Sequence, residues 1–182
     1  MSAPRIVAIP GSLRKDSFNR KLLALGVAAL REAGADVDVV DLKELALPVY
    51  DGDIEAAGMP PSAVALKERI ARAAGLYVST PEYNWGVPGA LKNAVDWASR
   101  GGGNVFQGKW GALTSASMGG FGGLRGLAAL RPSLMTLGVY LLPKELNLAR
   151  AQDAFTPEGA LKDAKVHDQL VALMQALLER LR

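Results

Sequence analysis

Five short apolar runs alternate with helix-like stretches along the chain, and this alternation limits the fold more than any other feature. The runs are RIVAIP (5–10), DVDVVDL (36–42), GLYVST (75–80), WGALTSAS (110–117) and GVYLLP (138–143). Between the first two, residues 17–33 carry Leu22, Leu25, Ala29 and Ala33 at helical spacing and stop at Gly34. Residues 62–74 follow Pro60-Pro61, and residues 88–98 begin on Pro88, which suits a first helical turn. Residues 122–137 and 158–181 repeat leucines along one face. Strands alternating with helices in this way predict βαβ units, and so an α/β domain whose parallel sheet has helices on both faces. Five strands in a single domain spanning 1–182 predict the open, doubly wound order 2-1-3-4-5. The irregular piece 43–61, rich in proline and glycine, reads as a surface excursion.

In such a sheet, ligands bind beyond the carboxyl ends of the strands, near the point where strand order reverses. That point lies between the first and third strands, with the fourth beside them. The loops after these three strands, 10–19, 80–88 and 115–125, are the three oddest stretches of the chain.

The first loop reads Ser12-x-Arg14-x-x-Ser17-x-Asn19. Gly11 is read as the residue that lets the backbone turn, and Ser17 as a helix cap. Free N–H groups and partial positive charge at the helix start favour an anion. The serine hydroxyls, the Asn19 amide and Arg14 add donors, enough to surround a phosphate monoester. The loop lacks both G-x-G-x-x-G and G-K-[ST], so a mononucleotide fits better than a dinucleotide or a nucleoside triphosphate. The second loop sets Glu82, Tyr83, Asn84 and Trp85 between Pro81 and Pro88. It suits either a wall for a flat heteroaromatic ring or aromatic packing into a core or an oligomer contact. The third loop carries Gly119, Gly120, Gly122 and Gly123. That density points either to a ligand lying against the main chain or to a flexible loop.

Composition removes several classes of function. There is no cysteine, so disulfides, thiolate metal sites and cysteine nucleophiles are out; His167 is the only histidine, so no two-histidine metal motif exists. The balance of 21 basic and 18 acidic residues gives a net charge of +3, and the basic residues come in pairs such as Arg14-Lys15 and Arg20-Lys21, not in the runs that bind nucleic acid. The opening MSAPRIV has no apolar signal core, and no stretch is long enough to cross a membrane. A cytoplasmic protein is expected.

The segments GSLRKDSFNRKLL and TPEYNWGVPGALKNAVDWAS, with the glycine-rich stretch after the fourth strand, resemble the NADPH-dependent FMN reductases. This flavodoxin-like group includes bacterial quinone and chromate reductases and some azoreductases. The resemblance covers residues 5–145. It implies a flavodoxin-like three-layer sandwich and a tightly bound FMN. Ser12, Arg14, Ser17 and Asn19 would hold the phosphate. Pro81, Glu82, Tyr83 and Asn84 would line the isoalloxazine. Ser117, Met118, Gly119 and Gly120 would approach the ring. NADPH or NADH would be the co-substrate, and a quinone or similar small molecule (chromate, an azo compound) the two-electron acceptor in a ping-pong exchange. Tyr83 is placed either to donate a proton or to pack at a subunit contact. The family's homodimers and homotetramers form through the helices after strands three and four, which makes Trp97 and Arg100 candidate contacts. Trp85-Gly86 departs from the usual Tyr-Ser, and 117–124 is richer in glycine than the family pattern. Three rival functions are a reductase of free FMN, a flavodoxin-type electron carrier, and a non-catalytic flavin-binding regulator. The carrier class is usually acidic, which the +3 charge opposes.

Overall fold

The computed structural model describes residues 3–182; Met1 and Ser2, which open the MSAPRIV segment, lie outside the described residues. In chain order the elements are β1 (Arg5–Pro10), α1 (Phe18–Glu32), β2 (Asp36–Val39), α2 (Leu42–Leu45), α3 (Gly52–Ala57), α4 (Pro61–Ala71), β3 (Gly75–Ser79), α5 (Gly89–Ala98), β4 (Trp110–Ala116), α6 (Leu124–Thr136), β5 (Tyr140–Leu141), β6 (Leu146–Leu148), α7 (Ala151–Ala154) and α8 (Ala164–Leu181). All strand pairs are parallel, in the order β2-β1-β3-β4-β5, with β6 also on β4. This is the doubly wound order expected from the sequence.

Side chains alternate across a strand, so a sheet buried on both faces needs apolar residues at every position. In β1, Ile6 and Ala8 join Tyr77, Ala112 and Ala116 beneath α1 and α8. Val7 and Ile9 join Leu76, Val78 and Leu113 on the other face, beneath α4, α5 and α6. β2 has a neighbour on one side alone, and its Asp36 and Asp38 face Arg5 and Arg69. Charges of this kind keep an edge strand from pairing with other chains. The Arg69 guanidinium holds the Asp38 carboxyl below the usual carboxylate range.

Three expectations need correction. The fifth strand, expected over 138–143, pairs with Trp110 and Gly111 through Tyr140 and Leu141 alone. The chain breaks at Pro143 and returns as β6, which continues beside Thr114–Ala116. The excursion 43–61 lies at the surface as expected but is not irregular: it holds most of α2 and all of α3, capped by the carboxylates of Asp41 and Asp51, and it is tied to α5. Asn93 accepts from the Tyr50 N–H and donates to the Pro48 carbonyl, both at 2.8 Å. Trp97 donates to the same carbonyl at 2.7 Å and packs edge-on against Tyr50. Trp97 is therefore fully buried within its own chain and is not a surface residue available to a partner.

Gly26 sits in the middle of α1, where glycine costs helix stability relative to alanine. A Cβ there would fall 2.6 Å from the ring and the hydroxyl of Tyr77. Tyr77 cannot give way: it is wholly buried, its hydroxyl lies 3.3 Å from the Leu22 carbonyl and 3.2 Å from Thr114 Oγ1, and burial raises its pKa. Gly26→Ala should lower unfolding stability by about 1–3 kcal/mol through overpacking, in spite of its better helix propensity. Urea denaturation of the two proteins measures this difference.

Candidate functional site

The three loops meet at the carboxyl edge of the sheet, and one side chain joins them. Asn19, the second residue of α1, is 2% exposed. Its Nδ2 donates to the Ala116 carbonyl at 2.8 Å, and its Oδ1 accepts from the Ala116 N–H at 2.8 Å and from the Ser79 hydroxyl at 3.3 Å. The start of α1 and the ends of β3 and β4 are thus bound through a single carboxamide. Asn19 was expected to offer its amide to a ligand; in the structure that amide holds the loops to one another.

The rest of the first loop turns its polar groups to the edge. Ser17 caps α1 by accepting from the Asn19 N–H at 3.2 Å. Ser12 is buried, and its hydroxyl accepts from the Arg14 N–H at 3.3 Å, leaving its own proton to donate. The backbone N–H groups of Ser17 and Phe18 find no acceptor among the described residues, and the exposed Arg14 side chain has no ion pair there. Gly11 serves a different need from the one read in the sequence. Its φ is not positive; instead, a Cβ would fall 2.1 Å from Thr80 Oγ1. The residue is glycine because the first and second loops touch there.

The second loop closes a tight turn. Tyr83 and Gly86 exchange backbone bonds of 3.1 and 2.9 Å, with Asn84 at φ 49° and Trp85 at φ 64°. Both central residues are left-handed, as in a type I′ turn, which favours glycine at the second position. Tryptophan there costs on the order of 1 kcal/mol in backbone strain. Its ring is 70% exposed, and the Arg125 guanidinium stacks on it 4.2 Å from the centroid and on Phe121 at 5.0 Å. Glu82 fixes Arg125 from below: Oε1 accepts from Nε at 2.8 Å, and Oε2 accepts from the Arg125 N–H at 3.1 Å. That second bond puts the Glu82 carboxylate on the N-terminus of α6.

The third loop divides its glycines between two tasks. Gly122 has φ +60°, and a Cβ on it would strike the Asn147 backbone at 2.6 Å. Gly123 has φ +88°, and a Cβ on it would meet Ser115 at 2.9 Å. Both are required by internal packing. Gly119 and Gly120 have open space where a Cβ would stand, apart from Ser117 Oγ 3.4 Å from the former. Ser117 is pinned to β6 and α7 through its backbone, with bonds of 3.0 Å to Leu148 and Ala151. Met118 and Phe121 are 66% and 64% exposed, and Phe121 shares the Arg125 guanidinium with Trp85. The strand ends thus bear a group of unbonded donors at the start of α1 and, after β3 and β4, an open aromatic and glycine surface.

The structure also adds residues that sequence reasoning missed. Arg20 forms a two-pronged pair with Asp41, at 2.9 and 2.7 Å, and its Nε donates to the Ser12 carbonyl at 3.2 Å. The Arg20 guanidinium holds the Asp41 carboxyl below the usual range. Gly126 lets α6 approach the second loop, since a Cβ there would fall 3.0 Å from Glu82 Cα. The residues involved are distant in sequence, and no local motif signals them.

Comparison with known proteins identifies relatives along nearly the whole chain. A family model described as NADPH-dependent FMN reductase matches residues 4–153. An NAD(P)H-dependent FMN reductase of Pseudomonas aeruginosa is 38% identical over 174 residues, covering 95% of this chain and 92% of that one. A quinone reductase of Escherichia coli K12 is 39% identical over 179 residues, covering 96% and 94%. Among solved structures, the flavoenzyme NAD(P)H:(acceptor) oxidoreductase of Paracoccus denitrificans superposes with a TM-score of 0.87 at 30% identity, covering 98% of this chain and 97% of that one.

Asn19→Ala leaves the Ala116 N–H and carbonyl buried without partners, at a cost of about 2–4 kcal/mol. Asn19→Asp should cost at least as much, because a carboxylate cannot donate to the Ala116 carbonyl. Urea denaturation of both variants gives the values, and an undiminished midpoint in either would remove Asn19 from its clamping role.

Proposed function

The chain belongs to the NADPH-dependent FMN reductase family, and on that premise we propose that it is an FMN-dependent NAD(P)H oxidoreductase passing two electrons to quinones or similar small acceptors. The observation that carries the reading is the anion cradle at the start of α1. A buried Ser12 hydroxyl, N–H groups at Ser17 and Phe18 with no acceptor among the described residues, and Arg14 with no ion pair there all belong to the loop that runs into the N-terminus of α1. A phosphate monoester matches this set, since it is anionic and accepts on every side. FMN would supply hydride acceptance from the nicotinamide and hydride donation to the acceptor.

The protein's part is binding and placement. Ser12, Arg14 and Ser17 hold the phosphate; Asn19 sets the three loops against one another. Pro81, Glu82, Tyr83 and Asn84 line the ring on one side. Ser117, Met118, Gly119 and Gly120 approach it on the other, where the open Cα faces of the two glycines let a flat group lie against the backbone. Glu82 contributes through its backbone, because its carboxylate is committed to Arg125 and the start of α6. Tyr83 is half exposed, which suits either a proton donor or a subunit contact. No chain group is required as a nucleophile. The chain works as a single domain, in the cytoplasm, and as a homodimer or homotetramer; absence of cysteine and of any described helix long and apolar enough to cross a membrane supports the location.

The purified protein should be yellow or should turn yellow with FMN, bleach anaerobically with NADPH or NADH, and recover its colour with benzoquinone. A protein that takes up no FMN overturns the proposal. Flavin lost on brief dialysis would instead favour a reductase of free FMN. Arg14→Ala and Ser17→Ala should each weaken FMN affinity by about tenfold, the loss expected for one charge-assisted or capping interaction. Flavin fluorescence titration measures it.

A further inference from the structure

Arg20 stands in the first turn of α1, where a cation opposes the helix dipole, and no acidic residue shares that turn. Its place there is not explained by helix stability. Its bonds run elsewhere. Two nitrogens grip Asp41, which in turn caps α2 through the Lys43 N–H at 2.9 Å, and the third donates to the carbonyl of Ser12. All three contacts use the fixed fork of a guanidinium, which a lysine cannot reproduce.

The Ser12 carbonyl belongs to the same peptide plane as the Leu13 N–H. That peptide is trans, since no cis bond is present among the described residues, so the two groups point in opposite directions. By drawing the carbonyl toward α1 and β2, Arg20 turns the Leu13 N–H to the opposite side of the loop. It also sets the backbone from which the Ser12 hydroxyl and Arg14 project. We propose that Arg20, braced by Asp41, is a positioning residue for the phosphate of the bound flavin: it presets the Ser12–Arg14 backbone and touches no ligand itself. This rests on the reading of that loop as the phosphate cradle.

The test compares FMN with riboflavin, which has the same ring and no phosphate. Flavin fluorescence titrations of the apoprotein would be run on the wild type, Arg20→Lys, Arg20→Ala and Asp41→Asn, with the melting temperature of each apoprotein recorded alongside. The wild type should bind FMN far more tightly than riboflavin. Arg20→Lys and Arg20→Ala should weaken FMN by about tenfold or more and leave riboflavin affinity unchanged, as expected when the outer partner of a ligand-holding group is lost. Asp41→Asn should fall in the same direction by less. Two results would overturn the inference: equal losses for both flavins that track a lower melting temperature, or full FMN affinity in both Arg20 variants. If Arg20→Ala fails to fold, Arg20→Lys alone decides between these outcomes. A wild type that binds the two flavins equally would remove the phosphate cradle itself, and this inference with it.

Discussion

The carboxyl edge of this sheet depends on one buried carboxamide. Parallel strands are joined by long crossovers, so nothing local holds the loops after β1, β3 and β4 in register with each other. Asn19 supplies the tie. One donor and one acceptor, set side by side, match the N–H and carbonyl of Ala116, and the spare lone pair takes the Ser79 hydroxyl. An aspartate lacks the donor, and a serine lacks the reach to both groups. The tie sits at the start of a helix, so the same residue fixes where α1 begins relative to β3 and β4. Whatever binds at α1 is thereby held at a set distance from whatever binds beside the other two loops.

The glycines extend that constraint. Gly11 against the Thr80 side chain, Gly122 against the Asn147 backbone and Gly126 against the Glu82 backbone are points of close approach where a Cβ has no room. Gly11 joins the first loop to the second, Gly126 sets α6 against the second loop, and Gly122 seats the third loop on β6. Their number records contact within the protein more than contact with a ligand. Gly119 and Gly120 are the exceptions, and they are the pair that faces open space.

The architecture was largely legible because burial on both faces of a sheet leaves continuous apolar runs, and alternation with helical spacing then limits the topology. The strand order followed, and with it the choice of three loops. β6 was not legible: LNL is three residues long, has a polar centre, and follows a proline that ends the recognised strand. The short helices α2 and α3 were hidden within proline- and glycine-rich sequence, although Asp41 and Asp51 are ordinary capping residues. Trp97 was misread because an aromatic on an amphipathic helix has the same pattern whether its own chain or a partner covers it. Asn19 was found, but as a ligand donor. A polar residue in a first turn gives no sign that its partner lies 97 positions away. The Arg20–Asp41 pair was hidden for the same reason, with 21 positions between its members.

The distribution of charge gives the edge a direction. α1 and α6 both start at it, and neither has an acidic residue in its first turn. The positive end of α6 is met by Glu82, whose carboxylate also neutralises Arg125 and holds it between Trp85 and Phe121. At α1 the carboxylate partner is spent differently: Asp41 neutralises Arg20, while Arg14 has no ion pair among the described residues. An anion is thus favoured at α1 and disfavoured beside Glu82. For the proposed flavin, this would favour the phosphate at the first loop and the uncharged ring toward Tyr83, Met118 and the two open glycines. The same argument gives Glu82 its use. A carboxylate near an anionic ligand is ordinarily a liability, but here it closes a second helix terminus that would otherwise compete for the phosphate, and it keeps an arginine stacked flat as part of the aromatic surface.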